Sequence, residues 1–137
     1  MSTGRILIID TCEVTASEYE STLEEAGFEV ISTVCKSIFM DRLGQHDIDV
    51  AIVTHGIENE VDFMVFLKVL HPFQKILMTA DYDFIRHELI AEAMGVHRYL
   101  HKPFSAEGLI ESVSGLIASN EPKFSIVGEP SLVKKAG

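Results

Sequence analysis

Short apolar runs recur along the chain, and most are followed by a segment whose apolar residues recur at helical spacing. The runs lie at 5–10, 28–33, 49–54, 75–79 and 96–100. Those at 5–10, 49–54 and 75–79 show little alternation of polar and apolar residues, as is typical of strands buried on both faces of a parallel sheet. The run at 28–33 alternates in part and predicts an edge strand.

The intervening segments predict helices with one apolar face each. They lie at 16–26, 38–44, 62–70 and 81–95, and a last helix begins at Ser105. In the third helix we predict an inward face of four residues: Phe63, Phe66, Leu67 and Leu70. Five βα units with short connections and right-handed crossovers predict an α/β fold, an open parallel sheet with helices on both faces.

Length and composition favour one soluble globular domain. The chain has 137 residues, of which 47% are hydrophobic and 23% charged. We predict a domain at 1–118 and a C-terminal tail at 119–137. The tail carries apolar residues, among them Phe124, Ile126, Val127 and Leu132, with which it could dock on another surface.

The net charge of −10 narrows the range of partners. Such a field repels nucleic-acid backbones and anionic membranes, so we expect neither as a partner. No apolar run reaches the roughly 18 residues that span a bilayer, and no signal-peptide pattern opens the chain, which predicts a cytoplasmic protein. The two cysteines, Cys12 and Cys35, have no metal-binding or redox spacing and are expected to be reduced thiols.

Polar residues stand where several predicted strands end. Asp10 and Thr11 follow the first strand, Thr54 ends the third, Thr79 ends the fourth, and Lys102 follows the fifth. Ligand chemistry in open parallel sheets gathers at these carboxyl ends. Any ligand chemistry of this chain is therefore expected among these strand-end residues.

With these residues in this order, the sequence from about 5 to 117 resembles the receiver domains of bacterial response regulators (CheY-like) in two-component signalling. The resemblance implies a flavodoxin-like (βα)5 three-layer sandwich, with a five-stranded sheet in the order 2-1-3-4-5. It also rests on Thr79-Ala80, on an aromatic residue at Tyr99 and on the Lys102-Pro103-Phe104 signature. A cis peptide before Pro103 is implied as well.

The sequence departs from the family at the phosphorylation site. The resemblance implies an aspartate that accepts phosphate where Thr54 stands, and an acidic pair that holds Mg²⁺ where Asp10 and Thr11 stand. An acyl phosphate cannot form on Thr54, and Asp10 is the only residual metal ligand. Losing two carboxylates beside a divalent ion costs on the order of several kcal/mol. We therefore expect no cofactor, weak or absent Mg²⁺ binding and no enzymatic activity.

Other roles for nearby residues stay open. Asp10 and Lys102 are expected to form a structural ion pair, and a competing hypothesis makes Glu58 or Glu60 a surrogate metal ligand. We interpret His55 as a loop residue. Two further histidines, His97 and His101, are interpreted as surface residues, and Cys12 leaves redox sensing as a minor possibility.

The third helix also has apolar residues outside its predicted inward face. These are Met64, Val65 and Val69, and a helix that is apolar all round is normally covered on all sides. We predict that a protein partner, a second copy in a homodimer or the chain's own tail covers this face; a helix sunk between its neighbours is the alternative. The Thr79–Tyr99 pair, which remodels the receiver surface in the family, offers a second interface.

The sequence thus predicts an atypical receiver that acts as a phosphorylation-independent protein–protein interaction module in signal transduction. One alternative is a receiver that is still phosphorylated or metal-bound by unusual chemistry, at Thr54 or through Asp10 and a loop acid. A second alternative is a flavodoxin-like domain that binds a small molecule.

Overall fold

The apolar runs form the strands of a single parallel sheet. The computed structural model describes residues 4–80, 92–102, 104–119 and 125–127, the last three by their backbone. Its strands are β1 (Arg5–Ile9), β2 (Glu29–Thr33), β3 (Val50–Thr54), β4 (Ile76–Ala80), β5 (Arg98–His101) and β6 (Ser125–Val127). Every pairing is parallel, and the sheet order is β2-β1-β3-β4-β5-β6.

The first five strands confirm the predicted order 2-1-3-4-5, but the described sheet has six strands where we predicted five. The sixth comes from the segment assigned to the tail, and it pairs with β5 from Arg98↔Ser125 to Leu100↔Val127. Its three residues are too few to give a periodic pattern, so the sequence did not distinguish them from a loop.

Four helices lie within the described residues. They are α1 (Glu13–Glu25), α2 (Lys36–Gln45), α3 (Glu60–Leu70) and α4 (Ala106–Ala118). Ser105 caps α4 by accepting a hydrogen bond from the backbone N–H of Gly108. Most of the helix predicted from Asp81 to Gly95, and Pro103 with its predicted cis peptide, lie outside the described residues. No helix among those described is long and apolar enough to span a membrane.

The core has two parts, one on each face of the sheet. Alternate strand residues, such as Leu7 and Val53, pack with Phe39 of α2 and Leu67 of α3. The residues between them pack with α1 and α4 on the other face, through side chains that include Ile8, Ile52, Leu23 and Leu116. Strands β3 and β4 are buried along their whole length, which confirms the prediction drawn from their unbroken apolar runs.

The face that α3 turns inward differs from the prediction. Phe63, Met64 and Leu67 are buried, whereas Phe66 and Leu70 are each more than half exposed. Met64 is therefore a core residue, and assigning it to an interface was wrong. The error has a physical origin: an apolar run from Phe63 to Leu67 gives no polar positions that could fix how the helix is rotated about its axis.

Candidate functional site

Strand register brings three of the predicted site residues together at the carboxyl edge of the sheet. Thr54 of β3 pairs directly with Thr79 of β4. Ile9 of β1 pairs with Val53 of β3, so the next residue, Asp10, lies beside Thr54. Because side chains alternate along a strand, all three point to the sheet face that packs against α1 and α4. Each of the three side chains is buried.

Hydrogen bonds join these three residues into one cluster. The Thr54 hydroxyl donates to Asp10 Oδ2 at 2.8 Å, and the backbone N–H of Cys12 donates to Asp10 Oδ1 at 2.9 Å. A longer contact of 3.4 Å joins the hydroxyls of Thr54 and Thr79. Because the single hydroxyl hydrogen of Thr54 is used in the bond to Asp10, Thr79 is the donor in the contact between the two hydroxyls. Both oxygens of a buried carboxylate are thus satisfied by protein donors.

Lys102 provides the positive charge of the cluster. Its Nζ lies 4.0 Å from Asp10 Oδ2, so the predicted ion pair is present in the structure. The same ammonium group lies 5.6 Å from the centre of the Tyr19 ring, within the range of a cation–π interaction. Asp10 and Lys102 therefore neutralise each other inside a largely enclosed site.

Tyr19 is a site residue that sequence reasoning missed. In the sequence it is one of the apolar positions at helical spacing within the predicted helix 16–26, and its polar hydroxyl at such a position is the signal that could have found it. Its ring packs on Phe104, with 5.3 Å between the ring centres. Within the described residues its buried hydroxyl has no hydrogen-bond partner. Burial raises the pKa of Tyr19, an effect that the nearby Lys102 and Thr79 partly oppose.

Thr11 does not join the cluster. It is exposed at the end of β1, so only four of the five predicted residues (Asp10, Thr54, Thr79 and Lys102) come together. Mg²⁺ is held in proteins by one or two carboxylates together with phosphate oxygens and water. Asp10 is the only carboxylate of this cluster, and Thr54 and Lys102 already engage it. No group of three or more potential metal ligands occurs in the described part of the chain. These donors do not fit a divalent cation.

The loop after Thr54 is held in place by its own contacts. His55 Nδ1 lies 2.9 Å from Glu60 Oε2, and the other oxygen of Glu60 accepts the backbone N–H of Gly56 at 2.6 Å. Ile57 is buried and anchors the loop to the core. The Glu60 carboxylate raises the pKa of His55, while partial burial acts in the opposite direction. Both carboxylate oxygens of Glu60 are therefore engaged by residues of the loop, which argues against its being a surrogate metal ligand.

The residues predicted around Tyr99 lie on the opposite face of the sheet. Tyr99 is fully buried, and its ring packs edge-on against His101 with 5.0 Å between centres. His101 is also buried, so its assignment to the surface was wrong; alternation along β5 gives it the same face as Tyr99. His97 is partly buried and its Nδ1 accepts the backbone N–H of Ile76. Burial, with the charges of Lys68 and Lys75, lowers the pKa of His97.

A cleft and an exposed cysteine border the site, and a second cysteine lies at the start of α2. A cleft of about 510 Å³ lies between α1 and the start of α4, and its lining includes Tyr19, Lys102 and Phe104. Cys12 is exposed at the N-terminus of α1, and a hydrogen bond from Thr15 is the main factor that lowers its pKa. A similar contact with Ser37 lowers the pKa of Cys35.

Comparison with known proteins places this geometry in a known fold. No protein-family model and no curated protein matches the sequence. Solved structures do match it. A response regulator from Thermotoga maritima has a TM-score of 0.78 and 23% identity, with 85% of this chain and 99% of that one covered. A receiver domain from Clostridium thermocellum has a TM-score of 0.76 and 21% identity, with 83% and 94% covered.

An orphan response regulator from H. pylori matches in the same way, with a TM-score of 0.74 and 22% identity over 85% of this chain and 98% of that one. At these identities the likeness concerns the fold, and the neighbours are covered almost completely. The predicted resemblance in fold is confirmed: this chain has the flavodoxin-like fold of CheY-like receiver domains.

Proposed function

We propose that this chain is a cytoplasmic receiver-type signalling module that acts by binding a protein partner and is not switched by aspartyl phosphorylation. The observation that supports this most is the hydrogen bond from Thr54 to Asp10. An aspartate at residue 54 would repel the Asp10 carboxylate, and a cation would relieve that repulsion. Here an uncharged hydroxyl donates to Asp10 instead, and the contact needs no cation. The cluster is satisfied as it stands, and it contains no carboxylate at residue 54 to accept a phosphoryl group.

Several observations support a role through contacts and not through catalysis. Thr54, Thr79 and Asp10 are all less than a tenth exposed, so a substrate would have little access to them. The net charge of −10 disfavours nucleic acids and anionic membranes as partners. The fold is one that is used for signalling in its neighbours, and an exposed apolar surface on α3 offers a place for a protein to bind.

A second candidate function follows from the same hydrogen bond. An alcohol that donates to a carboxylate at 2.8 Å has the geometry of a nucleophile beside a general base. In that case Thr54 Oγ1 would form a bond to the phosphorus of an acyl phosphate, the P–O bond to the donor's carboxylate would break and release that carboxylate, and Asp10 would take the hydroxyl proton. Lys102 opposes this role, because its ammonium group lies 4.0 Å from Asp10 Oδ2, the same oxygen that the Thr54 hydroxyl engages, and competes for it.

Intact-mass measurement after incubation with a small acyl phosphate and Mg²⁺ separates the two candidates. We expect the native chain to keep its mass, and the Thr54→Asp variant, which regains a carboxylate at that position, to gain a phosphoryl group. A phosphoryl group on the native chain that maps to Thr54 would overturn the proposal and establish the second candidate. A matched test is thermal melting: Mg²⁺ should leave the native melting temperature unchanged and raise that of Thr54→Asp.

A further inference from the structure

A continuous apolar surface runs along the outer side of α3 and into the turn that follows it. On the helix two adjacent rows of side chains form it, with members four residues apart that lie above one another, and Phe73 lies in the turn beyond the helix. We call this surface the α3 strip. Its residues are Val61, Val65, Val69, Phe66, Leu70 and Phe73, and their exposed fractions range from 53% for Leu70 to 94% for Phe73.

The area of the α3 strip approaches what one partner contributes to a stable interface. Free side chains of these sizes expose on the order of 150–200 Å² each, so the strip presents about 650 Å² of apolar surface. The largest apolar patch on a typical monomer is about 300–600 Å². A stable protein–protein interface takes about 800 Å² from each partner. The partly exposed Ile38 of the neighbouring helix α2 increases the apolar area further.

We infer that the α3 strip binds the α3 strip of a second copy of this chain, with the two helices antiparallel about a two-fold axis. The six side chains of the strip are uncharged, and the exposed Asp62 lies on the same face at its N-terminal end, one turn before Val65 and Phe66. Two strips can therefore meet with their charged residues at the ends of the contact. The charges of α3 lie at its ends, with Glu60 and Asp62 in the first turn and Lys68 in the last. An antiparallel pair puts the acidic turn of one helix beside the basic turn of the other, whereas a parallel pair puts like charges together.

Two other occupants are less consistent with the structure. The described part of the tail, Ser125–Val127, lies in the sheet beside β5 and not on α3. An anionic membrane repels a chain of charge −10, and so does a second copy, but the second copy also offers a basic last turn of α3 to the acidic first turn. The inference deepens the proposed function by naming a partner, and it rests on the proposal that this module works through contacts.

Sedimentation equilibrium of the full chain across the micromolar range tests the inference. We expect a dimer for the native chain and a loss of about tenfold or more in dimer affinity for Val65→Lys, which places a charge in the middle of the strip. The matched control is Val14→Lys, the same change at a 69% exposed valine of α1, which should dimerise like the native chain. A native chain that stays monomeric, or Val65→Lys dimerising as the native chain does, would overturn the inference.

Cross-linking tests the orientation. In a background without Cys12 and Cys35, we expect Val61→Cys mixed with Val69→Cys to give more disulfide-linked dimer than either variant alone. Predominant self-linking of Val61→Cys would rule out the antiparallel arrangement. Binding of the native monomer to anionic vesicles would contradict the inference in a different way, by identifying a membrane as the occupant. Phosphorylation at Thr54 would overturn the proposed function but would leave these association measurements unaffected, so the two failures are distinguishable.

Discussion

At the scale of single residues, one hydroxyl changes what the edge of the sheet can do. A carboxylate at residue 54 would repel Asp10 at hydrogen-bond distance unless a cation or a shared proton lay between the two. Thr54 donates to Asp10 instead, and Lys102 balances the remaining charge. The buried cluster therefore contributes to stability, and replacing its members should lower the free energy of unfolding.

Replacing Thr54 with valine, which has almost the same shape, should lower the free energy of unfolding by about 1–3 kcal/mol, because the buried Asp10 loses a hydrogen-bond donor. Urea denaturation measures the change. Tyr19→Phe is the matched control, since it removes a buried hydroxyl that has no hydrogen-bond partner among the described residues. That variant should be neutral or slightly more stable than the native chain. Equal losses in the two variants would show that the Thr54–Asp10 contact contributes nothing specific.

His55 should make part of the stability depend on pH. Glu60 raises its pKa in the folded state above the usual 6.5, so protonated His55 favours folding. This contribution is fully present below pH 6.5 and is lost as the pH rises through the higher folded-state pKa. The stability advantage of the native chain over Glu60→Gln should therefore shrink as the pH rises above 6.5, by less than about 1 kcal/mol because the pair is partly exposed. A difference that stays constant with pH would contradict this assignment.

At the scale of elements, strands were easier to predict than helix orientation. Val50–Thr54 and Ile76–Ala80 are apolar except for the threonine at or near the end of each, and such runs are typical of central parallel strands. Their ends therefore located Thr54 and Thr79, the two hydroxyls of the cluster. The rotation of α3 could not be predicted, because an all-apolar segment leaves the buried side to be decided by packing against α2 and the sheet. The role of Tyr19 depends in the same way on contacts with a distant loop.

The sixth strand was also beyond the sequence pattern, and it makes a prediction at this scale. A chain that ends at Ser119 lacks β6 and leaves one edge of β5 without its partner. Backbone amides of Arg98–His101 that face β6 should then exchange with solvent faster, while the fold persists because β4 still pairs with the other edge. Hydrogen–deuterium exchange measures this. Strand β2, at the opposite edge of the sheet, should be unchanged and serves as the internal control. Unchanged exchange in β5 would mean that β6 does not protect it.

At the scale of the whole molecule, charge and apolar surface act in opposite directions. The net charge of −10 keeps copies of the chain apart, whereas the uncharged α3 strip favours their association. The same field that repels a second copy would attract a basic partner protein. Added salt therefore distinguishes the two kinds of partner.

Salt should therefore strengthen self-association. At about 0.15 M the screening length falls to about 8 Å, from about 30 Å at 0.01 M, so the repulsion between two acidic copies is largely removed. Burial of the apolar strip is not weakened by this change. We expect the dissociation constant of the native dimer, measured by sedimentation equilibrium, to fall severalfold over that range. Val14→Lys, the surface control, should show the same trend. An affinity that falls with added salt would mean that opposite charges hold the copies together, and would place the contact at a charged surface instead of the α3 strip.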